Sequence, residues 1–267
     1  MRKYLKVLNI GIQTNLIYRY NFFILAIAQF CPLIATLILW NAIFQSTDQS
    51  HIQGYDHIKI VSYYVLSMVA QQIVGLWFMD YEITSDIRNG QINRFLLRPI
   101  EYIWYHWVII LSRKLILAIT NSLPVIIGFY LLRDQILPPV GLQALLMVLL
   151  MSFMGLFLNF LITYCAGLIG FWLLEVSSLF FIYYILNFFL SGGMFPLDLL
   201  PKPFYAVVRW LPFQYMGYFQ IKLYLGDYSV SEGWAGLAAA FIWILVFWGL
   251  SRFLWFRGTR RYSAFGG

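Results

Sequence analysis

The chain has 267 residues, of which 61% are hydrophobic and 11% are charged, and its mean hydropathy is +0.74. A soluble globular domain is about half apolar and about a quarter charged, so too little polar surface is present here to cover a water-soluble body. The apolar residues lie in runs of about 20, the length that an α-helix needs to cross roughly 30 Å of hydrocarbon. The formal net charge is +7. Because the basic residues lie at the ends of apolar runs, we assign this charge to a membrane protein rather than to a nucleic-acid-binding one.

Residues 1–21 are predicted to form an amphipathic helix that lies in the membrane interface. Polar side chains recur at helical spacing on one side of it, and apolar side chains recur on another. The polar set is Arg2, Lys6, Asn9 and Gln13, and the apolar set is Leu5, Leu8, Ile12 and Leu16. Because the polar residues interrupt any continuous apolar core, we do not expect a cleavable signal peptide.

Six transmembrane helices are predicted to follow, so the expected fold class is an all-α integral membrane protein in which residues 1–267 form one domain. The predicted spans are 22–44, 58–79, 112–132, 142–172, 176–195 and 234–256. With the N-terminus inside, the inner segments hold 13 of the 18 lysines and arginines, as the positive-inside rule favours. We therefore expect a multi-pass protein of the plasma (inner) membrane with both termini in the cytoplasm.

Several kinds of catalytic site are excluded by the residues present. No lysine follows a glycine, so a phosphate-binding loop of the G-x-x-x-x-G-K-[ST] type is absent from the sequence. His51, His57 and His106 are scattered, and we expect neither a metal site nor a catalytic residue. Cys31 and Cys165 lie inside apolar runs and are expected to be small hydrophobic side chains rather than a disulfide.

The middles of the six predicted spans contain no ionisable residue. Proton- or ion-driven carriers usually need such a group, so we expect the energy source to lie outside this chain. A secondary carrier or channel, and a membrane-embedded lipid-modifying enzyme that uses His106 and Glu101, are the alternatives from other classes. Uncharged polar side chains in the spans either form interhelical hydrogen bonds or line a substrate path, for which the candidates are Gln71, Gln72, Asn159, Asn187 and Ser191.

The charged segment 82–99, between the second and third spans, is predicted to lie in the cytoplasm. Gly90 permits a bend in it, and Pro99 ends its helix. One side of this helix is apolar and consists of Ile92, Phe95 and Leu96. Such a helix can lie on the lipid surface or dock in the groove of a partner protein, and the residues alone leave both open.

Residues 196–222, between the fifth and sixth spans, are apolar and aromatic although they are rich in proline. Gly192 and Gly193 break the fifth span, and the prolines prevent a continuous helix after it. An irregular backbone at membrane depth is tolerated only where protein or a cavity surrounds it. We therefore predict a re-entrant pair of short helices rather than a solvent-exposed loop.

Both segments resemble those of the permease subunits of ABC-2 family exporters. That family has a glycine and then L-L-x-P after its second span, matched here by Gly90, Leu96, Leu97 and Pro99. It has G-x-x-F-P and then L-P-F-x-Y after its fifth span, matched in order by Gly192, Phe195, Pro196, Leu211, Pro212, Phe213 and Tyr215. The six spans and the inner termini also agree, whereas Asn93 stands where many members have glutamate.

The resemblance implies a permease without an ATPase or a cofactor of its own. Two permease chains would pair, as a heterodimer more often than as a homodimer, and separate cytoplasmic ABC ATPase subunits would bind ATP and magnesium. The coupling contact with the ATPase would involve Glu82, Asp86, Arg88, Asn89, Gly90, Gln91, Arg94, Arg98 and Pro99. The re-entrant motif would consist of Gly192, Gly193, Phe195, Pro196, Pro201, Pro212, Phe213 and Tyr215. The substrate would be an amphiphilic or drug-like small molecule moved outward, with a lipid or a glycan as the alternative.

Overall fold

The computed structural model describes residues 2–17, 24, 28, 30–47, 54–76, 80–97, 100–173 and 175–262. Within these ranges the chain is helical and has no extended β-strand. Its α-helices are α1 (Arg2–Ile17), α2 (Phe30–Thr47), α3 (His57–Val74), α4 (Asp80–Arg88), α5 (Asn93–Leu96), α6 (Tyr102–Leu131), α7 (Leu142–Leu168), α8 (Ser177–Leu190), α9 (Lys202–Val208), α10 (Tyr218–Tyr224) and α11 (Val230–Arg261). Short 3₁₀ helices occupy Arg133–Gln135, Ile169–Phe171, Leu197–Leu199 and Pro212–Met216.

Three helices are long and apolar enough to cross a membrane. They are α6 over Tyr102–Tyr130, α7 with its 3₁₀ extension over Leu142–Phe171, and α11 over Val230–Arg261. Two shorter apolar helices, Phe30–Ser46 and Ser177–Leu190, overlap the first and fifth predicted spans. These helices make the chain an all-helical, multi-pass membrane protein, which confirms the predicted class. The number of six spans stays a prediction.

Several predicted span boundaries differ from the helix ends, and two of these differences have a cause in the sequence. The helix that contains the predicted span 112–132 begins at Tyr102, because no glycine or proline interrupts residues 102–112. The helix within the predicted span 176–195 ends at Leu190, where the chain turns at Ser191 and Gly192. Residues 18–23, 25–27, 29 and 77–79, which belong to the predicted interfacial helix and to the first two spans, lie outside the described residues.

The centre of the molecule is α7. Half of its most apolar stretch is buried against other parts of the chain, compared with 22% for α6 and 17% for α11. Its long side chains, such as Met151, Leu158 and Phe160, are fully buried. The helix α11 packs along α7 with small residues on its inner face, and Gly236 of α11 lies so close to the Phe219 ring that no Cβ fits between them. Such close packing requires a residue without a side chain.

The N-terminal helix α1 packs against α6. Its contact face consists of Val7 and Gly11, and a Cβ on Gly11 would overlap the Ser112 side chain. Leu5 and Leu16, from the predicted apolar side of α1, remain exposed. The side of α1 that packs on the protein therefore adjoins the predicted apolar side, of which Leu8 and Ile12 are partly buried while Leu5 and Leu16 are exposed.

Candidate functional site

The predicted coupling segment folds as two short helices joined by a tight turn. Helix α4 ends at Arg88, and α5 covers Asn93–Leu96. Gly90 has a φ of 71°, in the left-handed region that glycine adopts at little cost. The backbone N–H of Ile92 donates to the carbonyl of Asp86 over 3.1 Å, which closes the turn. Arg98 and Pro99 lie outside the described residues.

The apolar side of this segment is buried inside the chain itself. Ile83, Ile87, Ile92 and Phe95 belong to the core cluster around α7. A Cβ on Gly167, near the end of α7, would stand 2.9 Å from the Ile83 side chain. The predicted apolar side of Ile92, Phe95 and Leu96 is thus mostly covered by the chain, so it is not the surface that meets lipid or a partner. Leu96 is 50% exposed and the adjacent Leu97 is 86% exposed.

A buried carboxylate fixes the segment from within. The Tyr102 hydroxyl donates to Asp86 Oδ2 over 3.0 Å, and Arg94 Nη2 lies 3.3 Å from Asp86 Oδ1. His106 Nε2 stands 3.6 Å from the same carboxylate and is itself buried. Asp86 thereby joins α4, α5 and the first turns of α6. The Arg94 guanidinium also lies over the Phe95 ring, 4.9 Å from its centre.

Two further ion pairs tie the segment to neighbouring helices. Arg113 of α6 lies 2.7 Å from Glu82. Arg88 lies 3.7 Å from Glu175, which precedes α8, and both of these side chains are exposed. Between Arg88 and Glu175 lies an open cleft of about 340 Å³ that Ser85 and Asn89 also line. The segment therefore presents a polar outer surface while its apolar side holds it in place.

The pair proposed for a lipid-modifying enzyme is not brought together. His106 faces Asp86, whereas Glu101 pairs with Arg252 of α11 over 3.0 Å. The Glu101–Arg252 pair is exposed and the imidazole of His106 is buried. The geometry therefore provides no acid–base pair between these two residues.

The C-terminal end of α3, which leads towards the coupling segment, is held by side chains from two other helices. Lys114 of α6 donates from Nζ to the carbonyl of Gln72 over 2.7 Å and also to the carbonyl of Gly75. Asn159 of α7 donates from Nδ2 to the carbonyl of Val74 over 2.8 Å. These carbonyls are the unpaired acceptors that every helix end leaves, and a cation there also complements the helix dipole.

The candidate path residues take part mostly in bonds between helices. Gln71 donates to Ser191 Oγ over 3.2 Å, and Gln72 Oε1 accepts from Asn121 over 3.4 Å. Asn159, besides holding Val74, accepts from the Tyr183 hydroxyl of α8. The Oδ1 atom of Asn187 is buried and has no hydrogen-bond partner among the described residues. Gln71 and Ser191 are therefore brought together, whereas the Gln72 and Asn159 side chains bond to different partners.

The segment after α8 is compact and irregular, as predicted for residues 196–222. It contains the 3₁₀ helix Leu197–Leu199, helix α9, the 3₁₀ helix Pro212–Met216 and helix α10. Tyr215 and nearly all of α10 are buried among other helices. Helix α9 instead exposes Phe204 and Val207, followed by Trp210. A short irregular segment with this apolar exposure fits a membrane-facing position.

Residues 191–198, at the start of this segment, are hydrogen-bonded to α3 and the residues before it. Four side chains donate to these residues, three from α3 and one from Tyr55, which precedes the helix. Gln71 Nε2 bonds Ser191 Oγ (3.2 Å), the Tyr63 hydroxyl bonds the Gly192 carbonyl (2.7 Å), the Tyr64 hydroxyl bonds the Met194 carbonyl (3.0 Å), and the Tyr55 hydroxyl bonds Asp198 (2.9 Å). Helix α3, which leads towards the coupling segment, is thus attached to residues 191–194 at Tyr63, Tyr64 and Gln71.

A buried ionic cluster lies at the N-terminal end of α3. Lys222 of α10 is 6% exposed. Its Nζ lies 2.8 Å from Asp198 and 3.0 Å from the Tyr55 hydroxyl, and it also contacts Asp227. Lys59 lies 2.6 Å from Asp227. Burial works to raise the pKa of Asp227, but the hydrogen bonds from Lys222 and Lys59 outweigh it and hold the pKa below the usual value. Burial, reinforced by Asp198, raises the pKa of Tyr55.

Sequence reasoning did not assign the roles of Tyr102, Lys114 and Lys222. Lys114 and Lys222 were counted only as charges for the orientation, Lys114 on the inner side and Lys222 on the outer side. A signal was nevertheless present, because a lysine within an apolar stretch must find a partner. For Lys222 the nearby acids Asp198 and Asp227 are the obvious partners.

Comparison with known proteins identifies the family. The family model described as "ABC-2 family transporter protein" matches residues 30–266. A search of curated proteins gives no match to the chain. The matched region includes the coupling segment, the outer segment and five of the predicted spans in full. The all-helical fold and the two motifs agree with it, and the chain belongs to the ABC-2 family of transporter proteins.

Proposed function

We propose that this protein is the permease subunit of an ATP-driven exporter, powered by separate cytoplasmic ABC ATPase subunits that bind ATP and magnesium. Permeases of this family normally act with such an ATPase. The observation that supports the proposal is the segment Asp80–Leu96, which is fixed from within by Asp86 and exposes a polar surface. A rigid, exposed segment at the end of a membrane helix can pass the movement of a partner into the membrane.

The contact with the ATPase is made by the outer surface of α4 and α5. Arg88, Asn89, Gln91 and Arg94 are exposed there, and Leu97 projects beside them. An apolar side chain among exposed cations fits an apolar pocket with an acidic rim, and burying such an anchor dominates binding at many interfaces. The apolar side of the segment is already used inside the chain, so the ATPase binds the polar surface and the projecting leucine.

The orientation follows from the distribution of charge. The protein lies in the plasma membrane with six spans, and its termini and the coupling segment are cytoplasmic, as the excess of inner lysines and arginines supports. Residues 191–227 then lie on the outer side. Exposed apolar side chains on α2, α6 and α8 meet lipid or a second permease chain, and a heterodimer is the assembly that we favour.

The substrate is an amphiphilic or drug-like small molecule, moved outward. Aromatic side chains of α8, including Tyr184 and Phe188, would contact such a molecule, and a cationic one would gain cation–π contacts. Export of a lipid or a glycan is the second possibility. A fluorescent cationic amphiphile such as rhodamine 6G, offered to inverted vesicles with ATP, distinguishes the two, because only a drug-like path accumulates the dye.

The ATPase contact is tested by co-purification. The tagged permease is expressed with a candidate ATPase, and we expect Leu97→Asp to abolish co-purification of the ATPase because it places a charge in the apolar pocket. Val140→Asp is the matched control, since Val140 is 68% exposed and precedes the N-terminus of α7, whereas the coupling segment packs near the C-terminus of that helix. Retention of the ATPase by Leu97→Asp, while Val140→Asp also retains it, would contradict the assigned contact surface. Failure of the wild-type permease to bind any ABC ATPase would contradict the proposed function.

A further inference from the structure

The outer segment has two halves that are attached to different helices. Residues 191–198 receive the four hydrogen bonds from Gln71, Tyr63, Tyr64 and Tyr55. The second half, residues 212–224, packs mainly on α7, and its Tyr218 and Ile221 also reach the buried cluster around α3. There Ser152 donates to Gln220 over 3.1 Å, and a Cβ on Gly155 would stand 2.7 Å from the carbonyl oxygen of Tyr215.

The joint between the halves combines an ionic cluster with apolar packing, because Tyr218 and Ile221 of the second half belong to the same buried cluster as Tyr63 and Leu197. Lys222, on the second half, bonds to Asp198 and to Tyr55. Asp227, which follows the second half, pairs with Lys59 of α3. One backbone bond also crosses the joint, from the Tyr218 N–H to the Ser191 carbonyl over 2.7 Å. The bonds within the α3-bound half are mostly neutral, from tyrosine hydroxyls to carbonyls.

We propose that α3 and residues 191–198 move as one body, and that Lys222 is the positioning residue that joins this body to the half bound to α7 while the exit side is closed. The inference rests on the proposed function, because it assigns the outer side and the driving movement. Movement of the coupling segment reaches the exit side through α3, and the Lys222 joint is where the two halves separate.

The charges of the joint suit two alternative states. The α3 body contributes Lys59 and Asp198, one cation and one anion. The α7 side contributes Lys222 and Asp227, again one of each. Each side is therefore neutral when the halves separate, so neither is left with an uncompensated charge, which is what makes a broken buried ion pair costly. In the open state water hydrates the four groups, and in the closed state they pair across the joint.

The bonds along α3 explain why the first half follows the helix. Gln71 and Tyr63 are eight positions apart in α3, about 12 Å at 1.5 Å per residue, and both contact the same short segment, as does Tyr55 before the helix. Tyr63 is fully buried and its hydroxyl bonds the Gly192 carbonyl. Breaking that bond alone would leave a buried polar group unpaired. Bonds spaced over this length allow little rotation of residues 191–198 relative to α3.

Distances between spin labels test the proposal in the complex with its ATPase. In a background of Cys31→Ser and Cys165→Ala, labels are placed at exposed positions as Met194→Cys with Gln143→Cys, and as Met194→Cys with Ile58→Cys. The first pair spans the joint, from residues 191–198 to the start of α7. The second pair lies within the proposed body. Distances are measured without nucleotide and after trapping with ATP and vanadate, and ATP hydrolysis is measured on the same labelled complexes.

We expect the 194–143 distance to change by about 5 Å, the size of a one-turn shift, and the 194–58 distance to change by about 1 Å or less. Lys222→Met should show the changed 194–143 distance without nucleotide, and Lys222→Arg should restore the closed distance. An unchanged 194–143 distance in a complex that hydrolyses ATP would overturn the inference alone, and so would an equal change in both pairs. A wild-type complex that hydrolyses no ATP would overturn the proposed function and the inference with it.

Discussion

Replacing Asp86 should loosen the coupling segment without unfolding the membrane helices. The carboxylate accepts from the Tyr102 hydroxyl over 3.0 Å and lies 3.3 Å from Arg94. Asp86→Ala breaks the contacts with both Tyr102 and Arg94 at once, and it leaves the Tyr102 hydroxyl buried without an acceptor. Asp86→Asn keeps an acceptor oxygen for Tyr102 and removes only the charge. The pair of variants therefore separates the buried hydrogen bond from the ion pair.

The expected cost of Asp86→Ala comes mainly from Tyr102. A buried donor left unpaired costs about 1–3 kcal/mol, and the loss of a partly exposed ion pair such as the one with Arg94 adds about 0–1 kcal/mol. A total of about 2 kcal/mol corresponds to a fall of roughly 4–8 °C in the melting temperature of a chain of this size. Asp86→Asn should lose less than half of that, because the hydrogen bond from Tyr102 remains.

The assay is thermal unfolding in detergent, followed by tryptophan fluorescence at one scan rate because unfolding of such proteins is often irreversible. Amide hydrogen exchange over residues 80–97 shows where the change lies, and we expect faster exchange there in Asp86→Ala but not in α7 or α11. Asp134→Ala is the control, since it removes an exposed carboxylate that lies 3.7 Å from the adjacent Arg133, and it should leave both measurements unchanged. Equal melting temperatures for Asp86→Ala and the wild type, with unchanged exchange, would refute this account of the segment.

Three further predictions concern packing, backbone conformation and pH. Gly155→Ala should lower the melting temperature and cost about 1–3 kcal/mol of stability, because the new Cβ meets the outer-segment backbone at 2.7 Å. Gly249→Ala is the control and should leave the stability unchanged, because nothing lies within 4 Å of its new Cβ. Gly90→Ala should cost about 1–2 kcal/mol in the same assay because of its left-handed backbone. The pKa of Asp227 is depressed, so its contribution to stability is fully present above its unfolded pKa of about 4 and is lost as the pH falls through its folded value. Asp227→Asn should therefore be less stable than the wild type between pH 5 and 8, and the difference should shrink in stronger acid; a difference that does not depend on pH would contradict this.

The secondary structure was largely predictable from local pattern. Long apolar runs indicate helices such as α7 and α11 because a backbone in lipid must satisfy its own hydrogen bonds. Prolines and paired glycines indicated the irregular segment after α8. Helix ends were less predictable, as the early start of α6 at Tyr102 shows, because hydropathy reports where a helix meets lipid and not where its hydrogen bonds begin.

The two segments were predicted from motifs, but the contacts that hold them were not. Gly90 and its surroundings could be placed between two spans from the sequence. That Asp86 binds Tyr102, or that Tyr63 binds Gly192, depends on how helices pack, since Tyr63 and Gly192 are 129 positions apart in the chain. Local periodicity contains no information on such pairs. The predicted docking side of the coupling segment was uncertain for the same reason, because the sequence does not show which apolar residues the chain covers itself.

The two lysines that bond the ends of α3 show how a charge in an apolar stretch can be interpreted further. A count of lysines for orientation treats Lys114 and Lys222 alike, yet their environments demand different partners. Lys222 lies within reach of two aspartates and forms ion pairs. Lys114 forms no salt bridge within the described ranges, and it donates to the backbone carbonyls at the end of α3. A helix end bound by a cation can be displaced without an anion having to move with it, whereas the outer end must exchange paired charges. The C-terminal end of α3 is therefore held without an anion, whereas its N-terminal end adjoins ion pairs that would break if Lys222 moved away from Asp198.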